Sequence, residues 1–229
     1  MVIDLAINSE LIARVVDDLV NARKAHRPAK NVTALIPDIS LTQAYEIQLE
    51  LLKNIKEGRI DKTKIINELE ESNLRGLGGA GFPAGRKWKI LREQEGLKLL
   101  AVNIDEGEPG TFKDRFFLES DPHRFFEGML IASEVVGIDK IYIYLRDEYA
   151  AARKIMTDEL KEIKKTFSNS IPDIELRRGA GSYICGEESA MIESIEGKRG
   201  LPRLRPVSYT HLRAHETLRY LVCRLLLEK

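Results

Sequence analysis

The chain is poor in cysteine and histidine and has no surplus of charge. Two cysteines in 229 residues, Cys185 and Cys223, cannot form a disulfide framework. They also fall short of the four thiolates that an iron–sulfur cluster usually takes, so any cluster would need ligands from elsewhere. Lys+Arg and Asp+Glu are both 36, and no global field draws the chain to nucleic acid or an anionic membrane. No apolar run approaches the roughly 18 residues needed to span a bilayer. The opening MVIDLAINSE lacks the basic-then-apolar layout of a signal peptide. The expectation is a cytoplasmic chain with no direct membrane insertion. Of four histidines, His26 and His123 read as surface or capping residues, while His211 and His215 lie near the C-terminal end.

What is present is ordinary globular material, 43% hydrophobic and 31% charged, enough for one sizeable domain plus an extension or two small domains. Residues 9–25 read as an amphipathic helix, with Leu11, Ile12, Val15, Val16, Leu19 and Val20 at helical spacing. Ser40 can cap a second helix carrying Ala44, Ile47, Leu51 and Ile55, and Asp61 a third carrying Ile65, Ile66 and Leu69. The character then changes at SNLRGLGGAGFPAGRKW (72–88), which holds five of the 16 glycines. LKLLAVN (97–103) suits a buried strand and is followed by the loop IDEGEPGTFKDR (104–115). A helix comes next, with Asp121 as cap, Pro122 in the first turn and Gly137 as stop. IYIYLR (141–146) is a second strand, about 148–165 a helix and IELR (174–177) a third strand. A glycine-rich turn then runs into a helix over 179–197. This alternation predicts an α/β fold: a Rossmann-like, mostly parallel sheet with helical crossovers, preceded by a helical N-terminal extension.

In such sheets ligands bind at the carboxyl ends of the strands. The loops 76–87, 103–115 and 179–188 all lie at that edge or can reach it, and all are rich in glycine or charge. The first suits a phosphate, because glycines let successive N–H groups converge on an anion and Lys87 adds charge. It lacks the GK[ST] ending of a P-loop, and its plainer reading is a flexible turn. The second places Asp105, Glu106 and Glu108 within four residues, and Glu108-Pro109-Gly110-Thr111 fits a type II turn. Carboxylates there can accept from sugar hydroxyls or a carboxamide. The alternatives are a solvated acidic turn or a glycosidase pair, for which nothing sets the required separation. The third loop combines Gly179, Gly181, Gly186 and Tyr183 with Glu187 and Glu188 at a helix start, where the helix dipole alone favours acids. Cys185 reads as a packed thiol.

Taken together, the motifs LRGLGGAGFPAGRKW, VNIDEGEPGTFKDR and GAGSYICGEESAMIESIEGKRGLPRLRP resemble the 51-kDa-type FMN-binding subunit of NADH dehydrogenases, over roughly residues 55–206. The same module serves as the beta subunit of NAD-dependent formate dehydrogenases, whose wording is nearest, and in NAD-reducing hydrogenases. The resemblance implies FMN and NAD(H) as cofactors. Gly76, Gly78, Gly79 and Lys87 would hold the phosphate and ribityl end. Asn103, Asp105 and Glu106 would hold the ribityl chain and ring edge, and Tyr183, Gly186, Glu187 and Glu188 would close the other side. Phe82 would stack on the adenine of NADH, Glu108 and Glu188 would meet its ribose and nicotinamide, and Arg205 would lie near the dinucleotide. Glu108 is the candidate catalytic residue. Leu77 and Ile90 stand where many relatives have an arginine and a second stacking aromatic.

By the same resemblance, hydride passes between nicotinamide and flavin, and electrons move singly through an iron–sulfur cluster whose ligands are absent from this chain. Protein supplies orientation and electrostatics, and no general base is required. Implied partners are a thioredoxin-like iron–sulfur subunit and a larger catalytic or quinone-linked subunit, which leaves a peripheral place on a membrane-bound complex open. The expected division is a helical extension 1–54, an incomplete FMN/NADH-binding domain 55–206 and a non-family tail 207–229 that resembles adapter read-through. On this division the chain binds FMN weakly. Two other readings are a non-catalytic nucleotide-binding fragment and, from residues 9–48, a hydratase-like lead lacking that family's metal ligands.

Overall fold

The side chains of β2 (Lys140–Leu145) alternate between two faces of a parallel sheet, and that alternation organises the molecule. The computed structural model describes residues 14–17, 41–58, 61–76, 81–167, 170–203 and the backbone of 220–222. Within it β1 (Leu99–Ile104), β2, β3 (Asp173–Arg178) and β4 (Tyr220–Val222) form one sheet in the order β3-β2-β1-β4, every pairing parallel. The expected α/β fold with a parallel sheet and helical crossovers is therefore present.

Helices α1 (Leu41–Lys56), α2 (Lys62–Glu71) and α3 (Ala84–Arg92) precede β1. Helices α4 (Lys113–Ser120) and α5 (Pro122–Val136) join β1 to β2, α6 (Ala150–Phe167) joins β2 to β3, and α7 (Glu188–Ile195) follows β3. Their boundaries follow local chemistry. The Asp61 carboxylate accepts from Thr63 N at the start of α2, and Asp121 accepts from Arg124 N at the start of α5. Gly137 ends α5 in the left-handed region at φ +82°, its N–H donating to Ser133 O. The helical turn at 14–17 buries Val15 and Val16, whereas the cap expected at Ser40 lies outside the described residues.

Ile141, Ile143 and Leu145 of β2 face a core shared with Leu100, Val102 and Ile104 of β1, Phe126 and Met129 of α5, and Met156 and Ile163 of α6. Burial of each such side chain contributes about 1.5–3 kcal/mol. Leu52 and Ile55 of α1 and Trp88 of α3 enter the same core, so the expected extension and the sheet share one interior. Gly85 lets α3 lie against α2: a Cβ there would meet the backbone N of Glu70 at 2.6 Å. The opposite sheet face carries Ala101 and Tyr144, covered by Cys185 and Met191.

Two helices depart from the sequence expectation. The segment 84–92, expected as loop and connection, is α3, because Ala84, Trp88 and Leu91 bury one side of it. The segment 113–120, expected as the end of a loop and a lead into the next helix, is α4. Its N-cap position, Phe112, makes no side-chain cap, and the capping carboxylate comes from Glu106 instead.

Candidate functional site

Ile104 pairs with Leu145 and Leu145 with Arg178, so the three strands end level and release their loops along one rim. Asn103 stitches two of those loops together. Its Nδ2 donates to Gly186 O at 2.8 Å, while its Oδ1 accepts from Asp105 N at 3.0 Å. The approach is close enough that a Cβ on Gly186 would lie 3.0 Å from Asp105 O, and one on Gly107 would lie 3.0 Å from the Tyr183 ring. Farther out, the Tyr183 hydroxyl donates to Glu108 Oε1 at 2.7 Å, which raises the pKa of that phenol. Thr111 N donates to Glu108 O and Gly110 has φ +78°, as the type II turn requires.

The three carboxylates of the second loop have different surroundings. Glu108 is exposed at the rim. Glu106 is buried and fully engaged: it accepts from Asp114 N at 3.0 Å, Arg115 N at 3.3 Å and the Tyr149 hydroxyl at 2.9 Å. Its backbone carbonyl accepts from Arg146, whose Nε also donates to Glu148 Oε2 at 3.0 Å. Asp105 is the exception, since its Oδ2 is buried without a hydrogen-bond partner. Burial pushes its carboxyl up to about 6, against the Arg146 charge and with the help of Glu148.

Beyond β3, Gly179 N donates to Leu145 O at 2.7 Å and Ala180 N to the Tyr144 hydroxyl at 3.0 Å, which fixes the glycine turn against β2. Glu187 is the N-cap of α7, its Oε2 accepting from Ala190 N at 2.9 Å. Glu188 is exposed as a residue, yet desolvation around its carboxyl raises the pKa; Lys87 opposes this and Glu187 adds to it. That Lys87 charge, on the first turn of α3, brings the first loop's end to the third loop. Cys185 is buried with its Sγ toward Gly200 O at 3.9 Å, a packed thiol.

The first loop is pinched shut at its base, where Gly76 N donates to Phe82 O at 3.1 Å and Arg75 to Gly81 O at 3.2 Å. Phe82 is 45% exposed beyond the pinch. Gly78, Gly79 and Arg205 lie outside the described residues. Thus Asn103, Asp105, Gly186 and Tyr183 converge, Lys87 faces Glu188, and Glu106 and Glu187 serve as helix caps. The turn 146–149, with Arg146 and Tyr149, adds two residues to the rim that the sequence did not single out. The run RDEY at the end of a strand is the available signal.

Similarity to known proteins decides what a rim of this kind belongs to. Residues 69–220, more than half of the chain, match the family profile described as the Nuo51 FMN-binding domain. This chain belongs to that family. It is 50% identical over 151 residues to the F-type subunit of NADH-quinone oxidoreductase from Aquifex aeolicus (strain VF5), covering 62% of this chain and 35% of that one. It is 43% identical over 183 residues to an F-type subunit of NADH-quinone oxidoreductase from Rhizobium meliloti (strain 1021), covering 75% and 43%. The alpha subunit of the NAD-reducing hydrogenase HoxS from Cupriavidus necator is 44% identical over 153 residues, covering 62% and 25%. The chain thus spans less than half the length of each of these relatives. A crystal structure of an NAD+-reducing NiFe-hydrogenase in the air-oxidized state superposes on 92% of this chain and 38% of its own, with a TM-score of 0.62 and 32% identity. Among the described residues no helix is long and apolar enough to cross a membrane.

Proposed function

We propose that this chain is the part of a flavoprotein module that holds FMN and NADH side by side, in a larger NADH dehydrogenase, formate dehydrogenase or hydrogenase. The observation that carries this reading is the orphaned Asp105 Oδ2, buried at the rim where Asn103 ties the second loop to Gly186. A buried acceptor lacking a partner calls for a donor from a ligand, and a flavin or its ribityl chain offers N–H and O–H groups. Gly107 and Gly186 let the second and third loops close on each other around that acceptor, since a side chain on either would collide with the neighbouring loop. The residues present therefore fit the group.

When bound, FMN supplies a two-electron acceptor for a nicotinamide hydride and a one-electron outlet. The chain's own residues bind and orient. Asp105 would accept from the flavin end, and Lys87 with the amides near Gly76, Gly78 and Gly79 would take the phosphate. Asn103, Glu106 and Glu187 act on the ligand by holding the backbone that meets it, because their side chains are engaged within the protein. Phe82 offers a face for the adenine. Glu108 and Glu188 would meet the ribose and nicotinamide and Arg205 the dinucleotide charge, and Glu108, the candidate catalytic group, keeps its place by accepting from Tyr183. An iron–sulfur cluster would supply the one-electron outlet, with ligands from outside this chain's two cysteines. A thioredoxin-like iron–sulfur subunit and a larger catalytic or quinone-linked subunit are the proposed partners, with the assembly cytoplasmic or peripheral on its membrane. We also propose a division into an extension to residue 54, a nucleotide-binding domain to 206 and a tail, of which residues 220–222 add strand β4 beside β1.

The test is titration of the purified chain with FMN, followed by flavin fluorescence, and then NADH:ferricyanide turnover. Saturable quenching, weaker with riboflavin than with FMN, is expected. A folded chain showing no saturation at about 1 mM FMN, a binding free energy of only about −4 kcal/mol, would overturn the reading.

A further inference from the structure

The turn after β2 has no assigned role, yet it is built against the back of the nucleotide rim. Arg146 donates to the Glu106 carbonyl and to Glu148 Oε2, and its guanidinium carbon lies 5.7 Å from the Tyr149 ring centroid. Arg115 of α4 lies 5.8 Å from the same centroid. The Tyr149 hydroxyl in turn donates to Glu106 Oε2, the carboxylate that caps α4. Arg146 and Tyr149 therefore grip residue 106 by its backbone and its side chain at once. Residue 105 is joined to it directly, and its Oδ2 is buried without a hydrogen-bond partner.

We propose that Arg146 is a positioning residue of the nucleotide site: it fixes the Glu106–Gly107 peptide, next along the chain from Asp105, so that Asp105 Oδ2 is presented to a donor on the bound flavin. The flavin part of this statement rests on the function proposed above. The grip itself does not. Two charged side chains bear on Asp105, both from the same turn: Arg146 favours its ionised form and Glu148 opposes it. From the third loop the group against Asp105 is the uncharged Gly186, while Glu187 is engaged with Ala190 N and Glu188 with the Lys87 charge. Glu106, next along the chain, is already bonded to the first turn of α4. A change at Arg146 or Glu148 must accordingly register on Asp105 with opposite signs.

The experiment is a 13C-carboxyl NMR titration of Asp105 in the ligand-free chain, for the parent and for R146M, R146K and E148Q, beside FMN quenching across the same pH range. In the parent the midpoint is expected near pH 6. R146M should raise it, E148Q should lower it, and R146K should return it toward the parent. FMN affinity should fall about tenfold in R146M at pH 7, the loss expected when one charge-linked support goes. Packing alone would not produce opposite shifts. A midpoint unchanged in both R146M and E148Q overturns the proposal. If R146M does not fold, R146K decides at pH 8, where Asp105 is ionised in both chains: lysine keeps the charge but not the planar fork, so a fall in FMN affinity supports the grip and an unchanged affinity refutes it. Shifts as expected in a chain that binds no FMN would sustain the positioning role and reject the flavin reading.

Discussion

Replacing Asn103 by leucine asks whether one amide holds the rim together. The residue is 7% exposed, and its side chain donates to Gly186 O at 2.8 Å and accepts from Asp105 N at 3.0 Å. Leucine keeps the volume and removes both bonds, leaving a carbonyl and an N–H without partners where water enters poorly. Each orphan costs about 1–3 kcal/mol, so Asn103→Leu should destabilise the chain by about 2–6 kcal/mol. In urea unfolding followed by far-UV circular dichroism, a slope of about 2–3 kcal/mol per molar turns this into a midpoint lowered by about 1–2 M. Asn103→Asp provides a control of different chemistry. It keeps the acceptor for Asp105 N, loses the donor at neutral pH and recovers one when protonated, so its defect should shrink as pH falls. FMN affinity should drop with the leucine variant because Asp105 and Gly186 are no longer held to each other. A leucine variant whose midpoint stays within about 0.3 M of the parent would refute the stitch.

Three further outcomes are expected. Asp105 rises from 3.8 to about 6 on folding, so the folded chain holds the proton more tightly. Stability is then fullest below pH ~4, and about 3 kcal/mol is lost as pH rises to ~6. Asp105→Asn should flatten that slope in urea midpoints taken across the range, and parallel profiles for variant and parent would contradict the assignment. Gly186→Ala places a Cβ 3.0 Å from the backbone carbonyl of Asp105, which cannot swing away as a side chain would. A loss of about 1–3 kcal/mol is expected by calorimetry, with weaker FMN quenching, and an unaffected variant would show that the loops are free to part. Tyr149→Phe removes the hydroxyl that donates to Glu106 Oε2 at 2.9 Å, whose own pKa burial and Glu106 push up to about 12. The loss is about 1.5–3 kcal/mol, together with faster hydrogen exchange at Asp114 and Arg115; unchanged protection of those two amides would tell against the cap.

Much of this was legible along the chain. The strands at 97–103, 141–146 and 174–177, the caps Asp61 and Asp121 and the stop at Gly137 depend on residues a few positions apart, and each recurs in the structure within one or two residues. So do the type II turn and the helix that begins at Glu188. Helix α4 was not legible, because its cap is a carboxylate eight residues away along the chain and across a turn.

Sequence alone determined the fold class, the glycine-rich and acidic loops and the family they resemble, since periodicity, capping and turn chemistry act over a few residues. Tertiary structure alone decided which carboxylate is free. Asp105, Glu106 and Glu108 look alike in a row, yet one is an orphaned acceptor, one a helix cap and one an exposed partner of Tyr183. The reason is that the deciding contacts are distant in sequence: Asn103 reaches Gly186 across 83 positions, and Arg146 reaches Glu106 across 40. Only strand order and register bring those atoms within hydrogen-bonding distance.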